Sequence, residues 1–350
     1  MYIDIALELR IMKKRTNLIL LGLAILATAF VLYKIVSQRD ENKALSQVLI
    51  EQKAPQNTID TFLYNKLLLK NTNGDTSGRW PVKAAYPLAG AVFPFKRVVA
   101  YYGNLYSTRM GILGELPEPQ MVARLKQEVA SWQKADTSVE VIPALHYIAI
   151  TAQGSAGADG KYRLRMPFSQ IDKVLAMADR AKALVFLDIQ VGLSTLEKEL
   201  PLLEKYLKMP QVHFGIDPEF SMKGGQAPGK VVGTFDASDV NYVSGYLANL
   251  VKAHHLPPKI LVIHRFTKNG LTNYKKVEIR PEVQIVMDMD GWGHQARKIN
   301  TYKQFIYTEP VQFTGFKIFY KNDLREANSH IMSPTEVMQL KPQPLYIQYQ

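Results

Sequence analysis

Short apolar runs alternate with polar, helix-spaced stretches through most of this chain. Eight runs stand out, at 97–103, Val139–Ile150, Ala183–Asp188, Val212–Ile216, Ile260–His264, Val283–Met287, Thr314–Tyr320 and 344–350. Most carry a polar or acidic residue at the downstream tip, and most are separated by segments with helical signals. Pro117 and Pro119 open a helix to about Lys134, with Val122, Leu125, Val129 and Trp132 on one face. Ser169-Gln170-Ile171-Asp172 and Ser194-Thr195-Leu196-Glu197 read as capping boxes, the second for a helix to about Leu207. Further helices are expected over 238–254 and near 294–307, and Ser333-Pro334-Thr335-Glu336 joins a cap, a first-turn Pro and a capping-box acid. Eight strand-plus-helix units in about 250 residues predict an α/β fold, a (β/α)8 barrel over 96–350. Residues 344–350 should close the ring between the seventh strand and the first. An open doubly wound sheet is the competing topology, but no G-x-G-x-x-G follows the first run and the acids sit at several strand tips rather than one switch point.

The pattern upstream differs. From Thr16 to Tyr33 no residue carries a charge at neutral pH, and Arg10, Lys13, Lys14 and Arg15 precede that stretch. Its length just reaches that of a spanning helix, about 18 residues, and the basic cluster predicts residues 1–15 on the cytoplasmic side. Residues 16–36 therefore read as a single transmembrane anchor. A cleavable signal peptide is the alternative, because Ala27-Thr28-Ala29 fits a small-x-small site, and the chain would then be secreted. Apolar residues continue past that site (Phe30, Val31, Leu32, Ile35, Val36), which favours the retained anchor. Residues 37–95 form a connector, in which Ile59, Phe62, Leu63, Leu67 and Leu68 mark an amphipathic helix over 58–70 packed on the barrel. The barrel is expected outside the cytoplasm.

Strand tips are where such a barrel keeps its chemistry. Side chains two apart on a strand share a face, so Asp217 with Glu219, Asp288 with Asp290, and Asp188 with Gln190 form pairs. Tyr102 with Asn104, and Tyr320 with Asn322, match in the same way. His146, His264, Trp292 and Gln348 add polar and aromatic lining, and the Gly-rich loop Gln153–Gly160 has the reach to cover a barrel mouth. Carboxylates, aromatic rings and amides around one mouth suit carbohydrate. Hydrolysis of a glycosidic bond needs one carboxylic acid to protonate the leaving oxygen and a second carboxylate as nucleophile or base. Glu219, the outermost acid, is expected as general acid, with Asp217 or Asp188 as the second carboxylate.

At this point the chain resembles the broad glycoside-hydrolase class of (β/α)8 barrels over roughly 97–350. The Gly215-Ile216-Asp217-Pro218-Glu219 tip is similar to the strand-four acidic D-x-E of several such families. The D-x-x-D-x-D-x-E run of chitinase-like barrels is absent. The resemblance implies a polysaccharide or cell-envelope glycan as partner and no cofactor. Two other functions fit the same residues. One is a binding or envelope scaffold without turnover. The other is a metal-dependent hydrolase using His146, Asp188, Asp217, Glu219, His264 and Asp288, although no H-E-x-x-H helix is present and the main reading assigns no metal.

Composition adds two constraints. The 350 residues carry a formal charge of +12 dispersed along the chain, which suits an anionic surface or polymer; no zinc-finger spacing, RNP-like motif or basic helix points to nucleic acid. There is no cysteine, which removes disulfides, thiol catalysis and Cys-ligated zinc.

Overall fold

The computed structural model describes residues 33, 34, 36, 37 and 58–350. The chain divides after Gln56 into two units, and only the second is described at length. The expected span over 16–36 thus lies almost wholly outside the described residues. Among the described residues no helix is long and apolar enough to cross a membrane.

Eight parallel strands form a closed ring: β1 (Lys96–Gly103), β2 (Glu140–Ala152), β3 (Leu184–Ile189), β4 (Val212–Ile216), β5 (Lys259–Arg265), β6 (Val283–Met289), β7 (Phe313–Ile318) and β8 (Tyr346–Tyr349). Neighbours pair in chain order, and β8 pairs with β7 on one side and β1 on the other, with Val98 opposite Tyr346 and Gly315 opposite Tyr346. These strands are apolar on both sides because the outer face meets the helical layer and the inner face meets the barrel core. Val185, Leu187, Phe214, Leu261 and Ile285 face outward into one cluster. Ala100, Ala144, Phe186, Val262, Val286 and Tyr346 face inward.

The helical layer holds α1 (Thr61–Asn71), α2 (Glu118–Ala135), α3 (Phe168–Ala181), α4 (Ala237–His254) and α5 (Gln295–Thr301), the last running on as a π-helix to Tyr307. Local signals explain most boundaries. Ser333 and Glu336 make both bonds of a capping box, and Asp236 and Asp239 make another that starts α4. The box expected at Ser169 caps nothing, because α3 already begins at Phe168 behind Pro167. At Ser194, Thr195 takes the cap position without a side-chain bond, and Pro201 breaks the helix into a 3-10 turn at Leu200–Leu203. Between β5 and β6 the connection has 3-10 turns in place of an α-helix, with a short strand, Leu271–Thr272, paired to Phe235–Asp236. The helix expected over 58–70 is α1; Leu68 packs on the barrel core as expected, and beside it Tyr64 is buried, meeting Tyr86 and Phe95 edge-on or tilted at 5.5 and 5.9 Å. Phe62 is left 80% exposed.

The segment before β1 seals the bottom of the ring. Gln284 Oε1 accepts from the amides of Val92 and Phe93 at 2.8 and 3.1 Å, and its Nε2 donates to the Phe93 carbonyl at 2.7 Å. Phe93 is thereby held against Phe313, ring centroids 5.3 Å apart. Closure is clamped from outside by Arg97, whose guanidinium meets Asp136 at 2.8 Å and also donates to the Pro344 carbonyl just before β8. Both charges are buried, so removing either partner leaves the other uncompensated, a loss of about 3–5 kcal/mol. Trp132 Nε1 donates to the Tyr349 hydroxyl at 2.9 Å, fastening β8 to α2.

A chain ending at Gln343 lacks β8 and leaves the edges of β1 and β7 unpaired above an open core. It should be insoluble or unfolded by circular dichroism; a soluble truncate with an unchanged melting temperature would contradict the closed ring.

Candidate active site

At the C-terminal ends of the strands a cleft of about 630 Å³ opens, lined by residues from nearly every strand tip. Tyr102, Gln190, Asp217, Asp290 and Lys317 form its floor. Glu219, Phe220, Phe266, Trp292, Phe319, Arg109 and Arg297 stand around it. Several walls are held by buried ion pairs. Lys298 Nζ reaches Asp323 Oδ2 and the Lys317 carbonyl, each at 2.7 Å, while Asp323 accepts from the amides of Gly293 and Phe319. Arg265 at the tip of β5 donates to the carbonyls of Thr267, Lys268 and Phe305 and pairs with Glu309. The loop after β4 is latched to the acid itself, since the Gly233 amide donates to the Glu219 carbonyl at 2.7 Å. A Cβ on Gly233 would lie 2.5 Å from the Pro218 carbonyl oxygen, so only glycine allows that approach.

Beneath the floor the barrel interior is polar. Tyr102 donates to Asp188 Oδ2 at 3.1 Å, closing Asp188 off from the cleft. Asp188 Oδ1 lies 3.5 Å from His146 Nε2 and 3.7 Å from His264 Nε2. His264 Nδ1 lies 3.2 Å from Asp290 Oδ2 and 3.5 Å from Asp288 Oδ2, and Lys317 Nζ meets Asp290 Oδ1 at 3.0 Å while sitting 3.9 Å over the Tyr102 ring. Two glycines make room for these carboxylates. A Cβ on Gly215 would meet Asp188 Oδ1 at 2.5 Å and His146 Nε2 at 2.7 Å, and one on Gly315 would meet Asp288 Oδ1 at 2.5 Å.

Burial and neighbouring charge separate the acids. Burial pushes Glu219 up to about 7, and the charge on Asp290 adds to this. Burial likewise lifts Asp217 well above the usual carboxylate range, against the pull of His264. Asp290 is buried too, but Lys317 and His264 outweigh that and hold it below its ordinary value. Asp188 is held low in the same way by His264 and His146. Burial depresses His146 to about 4, so it is neutral. His264 is pushed well above its usual value, because Asp188, Asp288 and Asp290 overcome its burial. The cleft thus sets two carboxyls of raised pKa, Glu219 and Asp217, beside one of lowered pKa, Asp290.

Of the residues singled out from sequence, Tyr102, Gln190, Asp217, Glu219, Asp290 and Trp292 line the cleft. Trp292 is 43% exposed, with Arg325 5.5 Å over its ring. Asp188, His146, His264, Asp288 and Gln348 point inward but lie buried below the floor, so a cleft ligand does not touch them. Asn104 is occupied by the backbone, donating to the Ile148 carbonyl and accepting from the Tyr106 amide. Tyr320 faces the opposite way. It stacks on Tyr349 outside the barrel and donates to Glu128, because it shares parity with the outward Phe316 and Ile318. The Gln153–Gly160 loop does not line the cleft. The chain folds back there, and Arg163–Arg165 pairs antiparallel with the end of β2, held by Arg163 and Arg165 on Glu199 at 2.8 and 2.7 Å.

Sequence reasoning missed Lys317, Arg109, Arg297, Phe220, Phe266 and Phe319. For Lys317 a signal existed: a lone cation within the seventh apolar run, in step with Gly315 and Phe319. The others sit on loops whose course no periodicity predicts.

No protein-family model matches the chain, and no curated protein is a significant match. Solved structures with a similar arrangement include a GH5-4 broad-specificity endoglucanase from Clostridium longisporum, 11% identical with a TM-score of 0.34 over 64% of this chain and 75% of that one. A GH18 chitinase from Pseudoalteromonas aurantia is 10% identical with a TM-score of 0.36, covering 72% of this chain and 93% of that one. Cel5A of Thermotoga maritima is 9% identical with a TM-score of 0.36, covering 73% and 88%. At such identities and scores, the barrel assignment stands on the chain's own closed order of eight parallel strands.

Proposed function

We propose that the cleft cleaves a glycosidic bond in a polysaccharide, with Glu219 as general acid and Asp290 as the ionised carboxylate acting as nucleophile or base. The observation that carries this reading is the opposite displacement of the two carboxyls, Glu219 up to about 7 and Asp290 below its usual value, in one cleft. That is the division of roles glycoside hydrolysis requires. Trp292, Phe220, Phe266 and Phe319 offer apolar faces for sugar rings, and Arg109 and Arg297 offer donors for hydroxyls. Asp217 is the weaker second carboxylate, because burial raises it well above the usual carboxylate range and Gln190 Nε2 engages it at 3.2 Å. Asp188, shut beneath Tyr102, does not reach a substrate.

One observation favours a binding module without turnover. Asp290 is already held by Lys317 at 3.0 Å and faced by His264 at 3.2 Å, which lowers its basicity. Reducing-end-labelled oligosaccharides separate the two readings. Hydrolysis supports the enzyme, whereas binding with intact ligand supports the module. In the enzyme, Glu219→Gln and Asp290→Asn should each lower kcat by about 10²–10⁴-fold, while Asp179→Asn on the exposed side of α3 should leave it unchanged. Full hydrolytic activity in Glu219→Gln would overturn the assignment.

The pH dependence follows with a definite sign. Glu219 must be protonated to act, so kcat/KM should fall as pH rises through about 7. Its folded value lies above the unfolded 4.5, so the folded state loses stability as pH rises from about 4.5 to 7. Glu219→Gln should therefore melt at the wild-type temperature at pH 4 and above it at pH 8. Equal melting at both values would show that Glu219 is not shifted.

We further propose a single-pass, membrane-tethered protein with its barrel outside the cytoplasm, resting on the basic residues Arg10, Lys13, Lys14 and Arg15 before the uncharged stretch Thr16–Tyr33. A reporter fused after residue 40 should be active only outside the cytoplasm. Cytoplasmic activity would refute the tether.

A further inference from the structure

We infer that the barrel binds one divalent transition-metal ion, zinc by its ligand chemistry, through His146 Nε2, Asp188 Oδ1 and His264 Nε2. Nothing in this inference depends on the cleft being a glycosidase. Among the described residues these three form a group whose donor atoms all lie within 4.8 Å of one another. The edges from Asp188 Oδ1, 3.5 Å to His146 Nε2 and 3.7 Å to His264 Nε2, are too long for hydrogen bonds. They do match a tetrahedral site, where metal–ligand bonds of about 2.0–2.1 Å hold ligand atoms about 3.4 Å apart. All three atoms are buried and none has a hydrogen-bond partner. Leaving several such groups unsatisfied in a closed core is costly unless something else binds them.

The surroundings are built in the manner of a metal site. Each histidine has its other ring nitrogen facing an anchoring group, which turns Nε2 toward the centre. His146 Nδ1 lies 2.6 Å from the Tyr346 hydroxyl, and His264 Nδ1 faces Asp290 Oδ2 at 3.2 Å and Asp288 Oδ2 at 3.5 Å. A hydrogen-bonded outer partner such as Tyr346 fixes ring orientation and raises the basicity of the ligating nitrogen, whereas at His264 the contact to the two carboxylates is electrostatic, since Nδ1 makes no hydrogen bond. Tyr102 donates to the second oxygen of Asp188 at 3.1 Å and leaves Oδ1 for the ion. Gly215 clears the space, since any Cβ there would crowd Asp188 Oδ1 and His146 Nε2 together. Two imidazoles and one carboxylate suit zinc and its first-row neighbours rather than calcium or magnesium, which take oxygen ligands. The ion would lie under the cleft floor, its charge acting on the cleft through Tyr102.

Metal content of the full-length wild-type chain, purified without chelator, tests this directly, together with Co²⁺ titration of the metal-stripped protein. One equivalent of bound metal and visible ligand-field bands saturating at one Co²⁺ per chain are expected. Asp188→Asn should abolish stoichiometric binding. Tyr346→Phe keeps the ring packed on Phe186 but frees His146 Nδ1, and should weaken binding about 10–100-fold. His255→Gln on an exposed helix end should change nothing. If Asp188→Asn fails to fold, the wild-type titration and Tyr346→Phe still decide. A folded wild-type chain that binds neither zinc nor Co²⁺ would overturn the site, leaving a proton on His264 to hold Asp188. Binding unaffected by Asp188→Asn and Tyr346→Phe would place the metal elsewhere and overturn it equally.

Discussion

A closed ring of eight strands must fill its own interior, and in this chain the upper half of that interior is filled with charge. Asp188, His264, Asp288, Asp290 and Lys317 are all taken out of water inside the barrel. Buried ions are tolerated only with opposite charges close at hand, so each of these residues fixes the position of the next. Lys317 sets Asp290, Asp290 faces His264, and Asp188 is set by the Tyr102 hydroxyl with His264 close by. Tyr102 lies across this assembly as the boundary between the sealed charges and the open cleft. The apolar lower half, closed by Phe93 and Gln284, gives the network a floor that water does not enter. The displaced carboxyls of the cleft follow from this arrangement, because Lys317 and His264 outweigh burial at Asp290 but not at Glu219, where the charge of Asp290 adds to it.

The walls obey the same rule one layer out. Arg265 and Lys298 are buried cations whose partners are mostly backbone carbonyls or loop carboxylates, so each converts an irregular strand-tip loop into a fixed one. Arg163 and Arg165 do this for the turn after β2 through Glu199. The loops that carry Trp292, Phe266 and Phe319 are short of helix and strand, yet each is held by such a pair or lies next to one.

The architecture was legible because parallel strands leave short, dense apolar runs, and all eight fell within a few residues of their observed bounds. The final run even revealed its place in the ring. Individual site residues were legible only while the chain stayed a regular strand. Alternation put Tyr102, Asp188, Asp288 and Asp290 on the inner face correctly. It failed at Tyr320, one residue out of step with Lys317. Depth was invisible in the sequence: Asp288 and Asp290 read alike as strand-tip acids, but two residues along one strand separate a sealed position from one that lines the cleft. Glu219 reached the cleft for a reason alternation does not supply, since Pro218 ends the strand and a 3-10 turn aims the side chain. Arg109 and Arg297 entered from loops and left no periodic trace.

Glu219 carries two attachments on one residue, its carboxyl in the cleft and its carbonyl latched by the Gly233 amide at the far end of the loop that follows β4. A crank is the mechanical counterpart: the loop is also tied by the Met222 amide on the Gly192 carbonyl and by Lys223 on Asp239, and the Gly233 bond carries its far end back to the acid's own backbone. The hold on that loop and the aim of the carboxyl are then linked. Length or sequence changes on the outer part of the loop, remote from any ligand, would retune the acid without altering a single residue that lines the cleft.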